Sequence, residues 1–403
     1  MAVKKEINQV MTAEKLLGND KYQAICYGGY RHKTREIQPT IDELKEDLKI
    51  LYALGIRLIR TYNVHLPEVP NLIKAIKEIK QDNPDFELYL MLGAWIDCKN
   101  AWTHLPADHS QESEDNAIEI NKAIELANLY PDIVKIIAVG NEAMVKWATN
   151  YYVQQWVILK WVNYLQNLKK EGKLAADLWI TSSDNFASWG GGSEDYHVEA
   201  LKDLIKAVDF ISIHTYPMHD THYNPDFWGI LLSEVQLSDE EKIQKAMMRA
   251  RDYAIHQYQS VVKYMNSLGI SKPVHIGETG WSSKSNEHYG PEGSRATDEY
   301  KAAVYYHLMK EWCTENNVTC FYFEAFDEQW KDQNNADGSE NHFGLINLNA
   351  QAKYALWDVV DMGVFDGLTR DGKPITKTYG GDFDSLWIEV KMPPLVDKIK
   401  VKN

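Results

Sequence analysis

A chain of 403 residues with 44% hydrophobic and 25% charged content is long enough to bury one large core or two ordinary ones. Its net charge of −15 repels a phosphate backbone and no Lys/Arg cluster is interleaved with aromatics, which excludes nucleic acid as the expected partner but not an uncharged glycan. No run approaches the roughly 18 apolar residues of a membrane span, the start MAVKKEINQVMTAEKLL is too polar for a signal-peptide core, and Cys26, Cys98, Cys313 and Cys320 form no C-x-x-C pair, so buried free thiols are expected rather than structural zinc.

Strand-like and helix-like patterns alternate along the chain. The first strand is YQAICYGG near 22–29, followed by the amphipathic IDELKEDLKILYAL, where Thr40 and Glu43 spell a capping box and Gly55 a stop. IRLIRTY (56–62) precedes a helix at 69–81, ELYLMLGAW (87–95) one at 115–129, and VKIIAVGN (134–141) one at 150–169. DLWITSSD (177–184) leads to 197–207, VDFISIHTY (208–216) to 239–267, PVHIGE (273–278) to 296–316, and VTCFYFEAF (318–326) to 351–361. Eight strand-helix units predict the α/β class and a (β/α)8 TIM barrel, with a doubly wound open sheet as the other arrangement of the same alternation. The organisation expected is an N-terminal segment 1–19, a barrel over 20–365, and a C-terminal extension 366–403 packed on the barrel or trailing from it.

In a barrel, chemistry collects where strands end on the C-terminal face. IIAVGNEAM puts Glu142 just past the fourth strand and HIGETGW puts Glu278 at the tip of the seventh, roughly across the barrel. Either glutamate alone reads equally well as an exposed loop residue. Together they suit glycosidic hydrolysis, which needs one carboxylic acid to protonate the leaving oxygen and a second carboxylate to meet the developing oxocarbenium ion. Gly140, Gly277 and Gly280 let the backbone turn tightly beside them.

The segments VGNE, GETGWSS and FYFEAFDEQWK together resemble family 17 of the glycoside hydrolases, the β-1,3-glucanase family within the clan of retaining barrel enzymes, over about residues 20–345. The FDE-x-WK ending is most similar to the bacterial branch. The resemblance implies that Glu142 is the general acid/base and Glu278 the nucleophile, and that Asn141 bonds the sugar 2-hydroxyl. It further implies that Arg60 lies close to the nucleophile and keeps it ionised, that Tyr62 faces the substrate, that Tyr216 in HTYP holds the nucleophile, and that Glu328 and Lys331 group near the acid. A polar network at a barrel rim is the alternative for Arg60, Tyr216, Glu328 and Lys331. Ser282 and Gln329 stand where the family commonly has proline and Phe343 where it has tryptophan; the last two are expected to alter the floor of a subsite.

Sugar rings stack on aromatic side chains, and Tyr30, Trp95, Trp281 and Trp330, which follow strand ends, are expected as platforms; Trp156 and Trp161, within a helical stretch, are expected in the core. The polar stretches CKNAWTHLPADHSQESED and SWGGGSEDYH are expected as cleft walls. No nucleotide-binding loop is present, so no cofactor is expected. His214 and His275 lie on strands, but no metal-ligand spacing appears, so no metal is expected. The expected activity is retaining, endo-type cleavage of β-1,3-glucan such as laminarin by a monomer, secreted, periplasmic or surface-bound, with a cytoplasmic place left open. The alternatives are a β-1,3-glucanosyltransferase using the same site and a glycan-binding barrel without turnover.

Overall fold

The computed structural model describes residues 10–396. All eight expected runs form strands: β1 (Gln23–Cys26), β2 (Ile56–Arg60), β3 (Tyr89–Ala94), β4 (Val134–Asn141), β5 (Trp179–Asn185), β6 (Ile211–His214), β7 (Val274–Thr279) and β8 (Cys320–Tyr322). Each pairs in parallel with the next, and β8 returns to β1 through Phe321 opposite Ala24 and Tyr322 opposite Ile25, closing the barrel. That closure removes the open-sheet alternative, which would leave two unpaired edges. Strands covered on both faces read as continuous apolar runs; β3 is buried at every position.

The connecting helices are α1 (Ile41–Ala53), α2 (Glu68–Asp82), α3 (Asp115–Leu129), α4 (Gln155–Lys170), α5 (Glu199–Ala207), α6 (Asp239–Ser267), α7 (Glu299–Glu315) and α8 (Trp357–Asp361). The Thr40 and Glu43 capping box forms, with Thr40 N–H donating to Glu43 Oε2 at 2.8 Å, and Gly55 ends the turn at φ +90°. The 29-residue α6 begins with a second box from Ser238 and Glu241.

Three elements depart from expectation. β8 is shorter than VTCFYFEAF because the chain leaves the ladder after Tyr322 and carries Phe323, Glu324 and Asp327 onto the active face. The helix expected at 351–361 begins at 357, after a 3-10 turn, because Gln351 and Ala352 are committed to a two-residue ladder with Thr376 and Lys377. The helix expected from 150 begins at Gln155, since Val153 N–H is tied back to Ala143 O at 2.7 Å.

Neither polar stretch is a plain loop. Residues 98–115 carry a hairpin, Cys98–Lys99 against Asp108–Glu112. SWGGGSEDYH does not line the cleft beside Glu278, and its first half is packed: Trp189 is fully buried and donates to Ser212 O at 3.0 Å, while a Cβ on Gly190 would strike Tyr264 at 2.1 Å, so the glycine lets this turn lie flat on α6. Trp161 is buried as expected, but Trp156 is 43% exposed on the outer face of α4. The four cysteines are free thiols, three of them buried.

Residues 366–396 run back over the barrel. Arg370 reaches Asp47 on α1, Phe383 and Trp387 pack on Tyr300, and Leu395–Val396 pair with Ile230–Leu231. Near the chain's start Ala13 and Leu16 are buried, and Gly18 N–H donates to Thr319 Oγ1 at 2.8 Å. Residues 1–9 of the expected N-terminal segment and 397–403 of the extension lie outside the described residues. No described helix is long and apolar enough to cross a membrane.

Candidate active site

Glu278 ends in the barrel mouth with only 6% of its surface exposed. Arg60, from the end of β2 and itself buried, forms an ion pair with Glu278 Oε1 through Nη1 and donates through Nη2 to Asn141 Oδ1 at 2.5 Å. The Tyr216 hydroxyl donates to Glu278 Oε2 at 2.8 Å. Burial alone would raise this carboxyl, but the charges of His214 and Arg60 and the hydrogen bonds from Arg60 and Tyr216 prevail and hold its pKa at about 2. The group is an ionised carboxylate at neutral pH, and each oxygen keeps lone-pair capacity beyond its one protein donor.

Glu142 follows β4 with φ +46°, a left-handed turn set up by Gly140 at φ +82°, and its N–H donates to Ser183 O at 3.0 Å. The turn aims its carboxyl back over the barrel mouth. His214 at the end of β6 lies between the two acids, with Nδ1 3.1 Å from Glu142 Oε1 and 3.5 Å from Glu278 Oε2. Its Nε2 is 2.8 Å from Ser183 Oγ, which is 2.9 Å from Ser212 Oγ. Gly277 is required here, because a Cβ would meet both serine hydroxyls at 2.1 and 2.3 Å. One oxygen of each glutamate and one His214 nitrogen lie within 4.8 Å of one another. These atoms are also spaced as cation ligands, but a cation would have to share Glu278 with the guanidinium of Arg60 and the hydroxyl of Tyr216. Beneath the Glu142 turn, buried Asp184 accepts from Met144 N–H at 2.7 Å and is pushed up to about 7 by burial.

A cleft of about 860 Å³ extends from Glu278 past the ends of β1, β2, β3 and β8. Tyr62 lines it with its ring 4.8 Å from the Arg60 guanidinium and its hydroxyl unpartnered. Lys331 bonds Glu324 Oε2 at 2.6 Å, lies 3.3 Å from Glu328 Oε2, and stands 4.0 Å over the Phe323 ring. Glu328 accepts from Tyr30 N–H and from Trp330 Nε1, each at 3.1 Å. Tyr30 and Trp330 meet edge to face at 5.9 Å, and Arg35 covers the Trp330 ring at 4.2 Å. Farther along, Trp95 leans on Tyr151 at 5.2 Å, and Tyr151 stacks on Trp102 at 5.1 Å.

Glu142, Glu278, Asn141, Arg60, Tyr216, Tyr62, Tyr30, Trp95, Glu328, Trp330 and Lys331 therefore gather around one opening. Trp281 does not. It is 1% exposed, wedged between Trp228 and Tyr305 with Nε1 donating to Ala296 O at 2.8 Å. Gly280 presses so close to Phe323 O that the chain turns outward there, sending the tryptophan between barrel and helices. Phe343 is likewise buried, edge-on to Phe323 at 5.3 Å and Tyr216 at 6.0 Å, so it backs these rings instead of flooring a subsite. His214 and Trp102 were not among the expected site residues. The signal for His214 was its place two residues before Tyr216, which puts both on the inward face of one strand end. Trp102 is 61% exposed in a polar hairpin, where hydrophobic periodicity gives no warning of it.

Comparison with solved structures finds similarity to an endo-laminarinase from Formosa Hel1_33_131, with 61% identity, coverage of 98% of this chain and all of that one, and a TM-score of 0.96. A glycoside hydrolase family 17 β-1,3-glucanosyltransferase from Rhizomucor miehei shares the fold at 19% identity, 83% and 96% coverage and a TM-score of 0.55. Among curated proteins, the putative glucan endo-1,3-beta-glucosidase btgC of Aspergillus niger is 24% identical over 76% of this chain, and the chain spans about 39% of that protein's length. The family model for the BtgE/BtgC glycoside hydrolase domain matches residues 24–344, from within β1 to past β8, and the chain belongs to that family.

Proposed function

We propose that the chain is an endo-acting β-1,3-glucan hydrolase of the laminarinase type, of the bacterial branch of glycoside hydrolase family 17, working with retention. The observation that carries the stereochemistry is the approach of Glu142 and Glu278, whose nearest oxygens lie within 4.8 Å. Carboxyls about 5 to 5.5 Å apart leave no room for an attacking water and favour direct displacement. Support for the substrate comes from the 61% identity, along its full length, to the Formosa endo-laminarinase.

In this reading Glu278, ionised by Arg60, Tyr216 and His214, attacks the anomeric carbon while Glu142 protonates the departing glycosidic oxygen. The glycosyl-enzyme forms, the cleaved portion leaves, and Glu142, now a carboxylate, takes a proton from water that attacks the same carbon, breaking its bond to Glu278 and returning that residue as a carboxylate. His214 fixes the Glu142 carboxyl through Nδ1 and is itself braced by Ser183. Asn141, with its oxygen on Arg60, keeps its NH₂ for the sugar 2-hydroxyl. Lys331, Glu328, Tyr30, Trp330 and Trp95 bind the glucan along the cleft. The protein acts as a monomer outside the cytoplasm, where a polymer too large to cross a membrane is found.

A proton NMR time course with laminarin tests this directly. Retention makes the β reducing-end anomer appear before mutarotation, with chains shorter than the donor. The α anomer first would overturn the nucleophile assignment, and chains longer than the donor would favour the transferase.

A further inference from the structure

Glu68 is the first residue of α2 and lies on the cleft wall with 3% of its surface exposed. An acid in a helix's first turn is ordinarily solvated and favoured by the helix dipole. This one is desolvated, and its Oε1 is buried without a hydrogen-bond partner. Two other buried acids of the same wall are satisfied: Glu119 accepts from Val64 N–H, Trp95 N–H and His65, and Glu328 accepts from Tyr30 N–H and Trp330. Leaving one buried polar atom unmatched costs stability, and such a group in a cleft wall marks a place where a ligand supplies the missing partner.

We propose that Glu68 is a specificity-determining residue: its unpartnered carboxyl hydrogen-bonds a hydroxyl of a neutral glucosyl unit bound beyond the one undergoing cleavage. Burial, reinforced by the Glu328 carboxylate, pushes its pKa well above the usual range and favours its protonated form. A protonated carboxyl offers one O–H donor and one acceptor oxygen, matching a sugar hydroxyl that both accepts and donates. Glu68 feels the charge of Glu328, the acid that bonds Tyr30, Trp330 and Lys331, and its carboxyl makes no hydrogen bond to Glu142, Glu278 or the side chains that hold them.

The inference rests on the β-1,3-glucanase reading, and its test separates the two. Wild type, Glu68→Gln and Glu68→Leu are compared on β-1,3-linked gluco-oligosaccharides, from the shortest that is cleaved up to the heptamer, together with Tm. In Glu68→Leu, kcat/KM on the heptamer falls about tenfold, through KM, the loss of one such bond. The shortest substrate is unaffected and Tm is unchanged or higher. Glu68→Gln, which keeps an N–H donor, stays near wild type on all lengths. Equal kcat/KM ratios at every length in the leucine variant, or equal loss in both variants at every length, would overturn the proposal. A wild type that cleaves none of the oligosaccharides would overturn the glucanase reading and the inference with it.

Discussion

Two of the guanidinium–carboxylate clusters buried among the described residues differ in what is left open. Asp47 on α1 receives Arg31 at 2.8 Å, Arg370 at 2.9 Å and the Tyr27 hydroxyl at 3.0 Å, and has no exposed surface. Every partner faces inward, and the result is a clamp that ties residues of the C-terminal extension to the barrel. Glu278 is held by an equally buried guanidinium and by a tyrosine hydroxyl, but one side of it opens on the cleft. The same two side-chain chemistries give a fastening in one place and an ionised carboxylate facing a cleft in the other; the unoccupied side makes the difference.

The largest expected effects come from breaking each cluster. Glu278→Ala abolishes hydrolysis of β-1,3-glucan to background in a reducing-sugar assay while the fold persists. Asp47→Ala leaves Arg31 and Arg370 without their shared partner, and denaturant unfolding is expected to register about 3–5 kcal/mol of lost stability with kcat per folded molecule retained. If Asp47→Ala lost activity without losing stability, the contrast would fail.

A second pair of changes sharpens the distinction at the aromatics. Trp281→Ala empties a packed site and is expected to cost about 3–5 kcal/mol in the same unfolding assay, with the chemistry kept. Trp102→Ala, at 61% exposure, leaves Tm unchanged and raises KM on long glucan by roughly three- to tenfold, the worth of one aromatic contact.

The smallest effect belongs to Tyr216→Phe, which removes one hydrogen bond from Glu278 and is expected to lower kcat about two- to threefold. It also raises the Glu278 pKa from about 2, moving the acid limb of kcat/KM upward. The sign is fixed by the direction of the shift. A carboxyl depressed from 4.5 to about 2 contributes stability that is complete above the unfolded value and is lost as pH falls through the folded one. In the phenylalanine variant the contribution is smaller and is exhausted at a higher pH, which a pH series of Tm detects.

Much of this was legible in the residues, and the misreadings have physical causes. The eight strands were visible because apolar runs covered on both faces leave no ambiguity of period, and Glu142 and Glu278 because each follows directly on such a run. Trp281 was misplaced because an aromatic after a strand end looks the same whether the next turn sends it into the cleft or between helices; the close approach of Gly280 to β8 decides it. The role of His214 depends on the register that sets Ser183 opposite Ser212, a fact of strand pairing that one strand's sequence does not carry. The hidden state of Glu68 was out of reach for a similar reason, since a glutamate opening a helix looks like a surface residue until its neighbours are known.

Gly277 carries a consequence for how this barrel tolerates change. A single added methyl group would collide with Ser183 and Ser212, the pair that braces the imidazole between the two glutamates. A residue with no side chain thus governs the reaction from behind, by leaving empty the volume in which two hydroxyls meet. Random variation at this position would be purged as severely as at Glu278 next to it, although Gly277 has no side chain to offer a ligand.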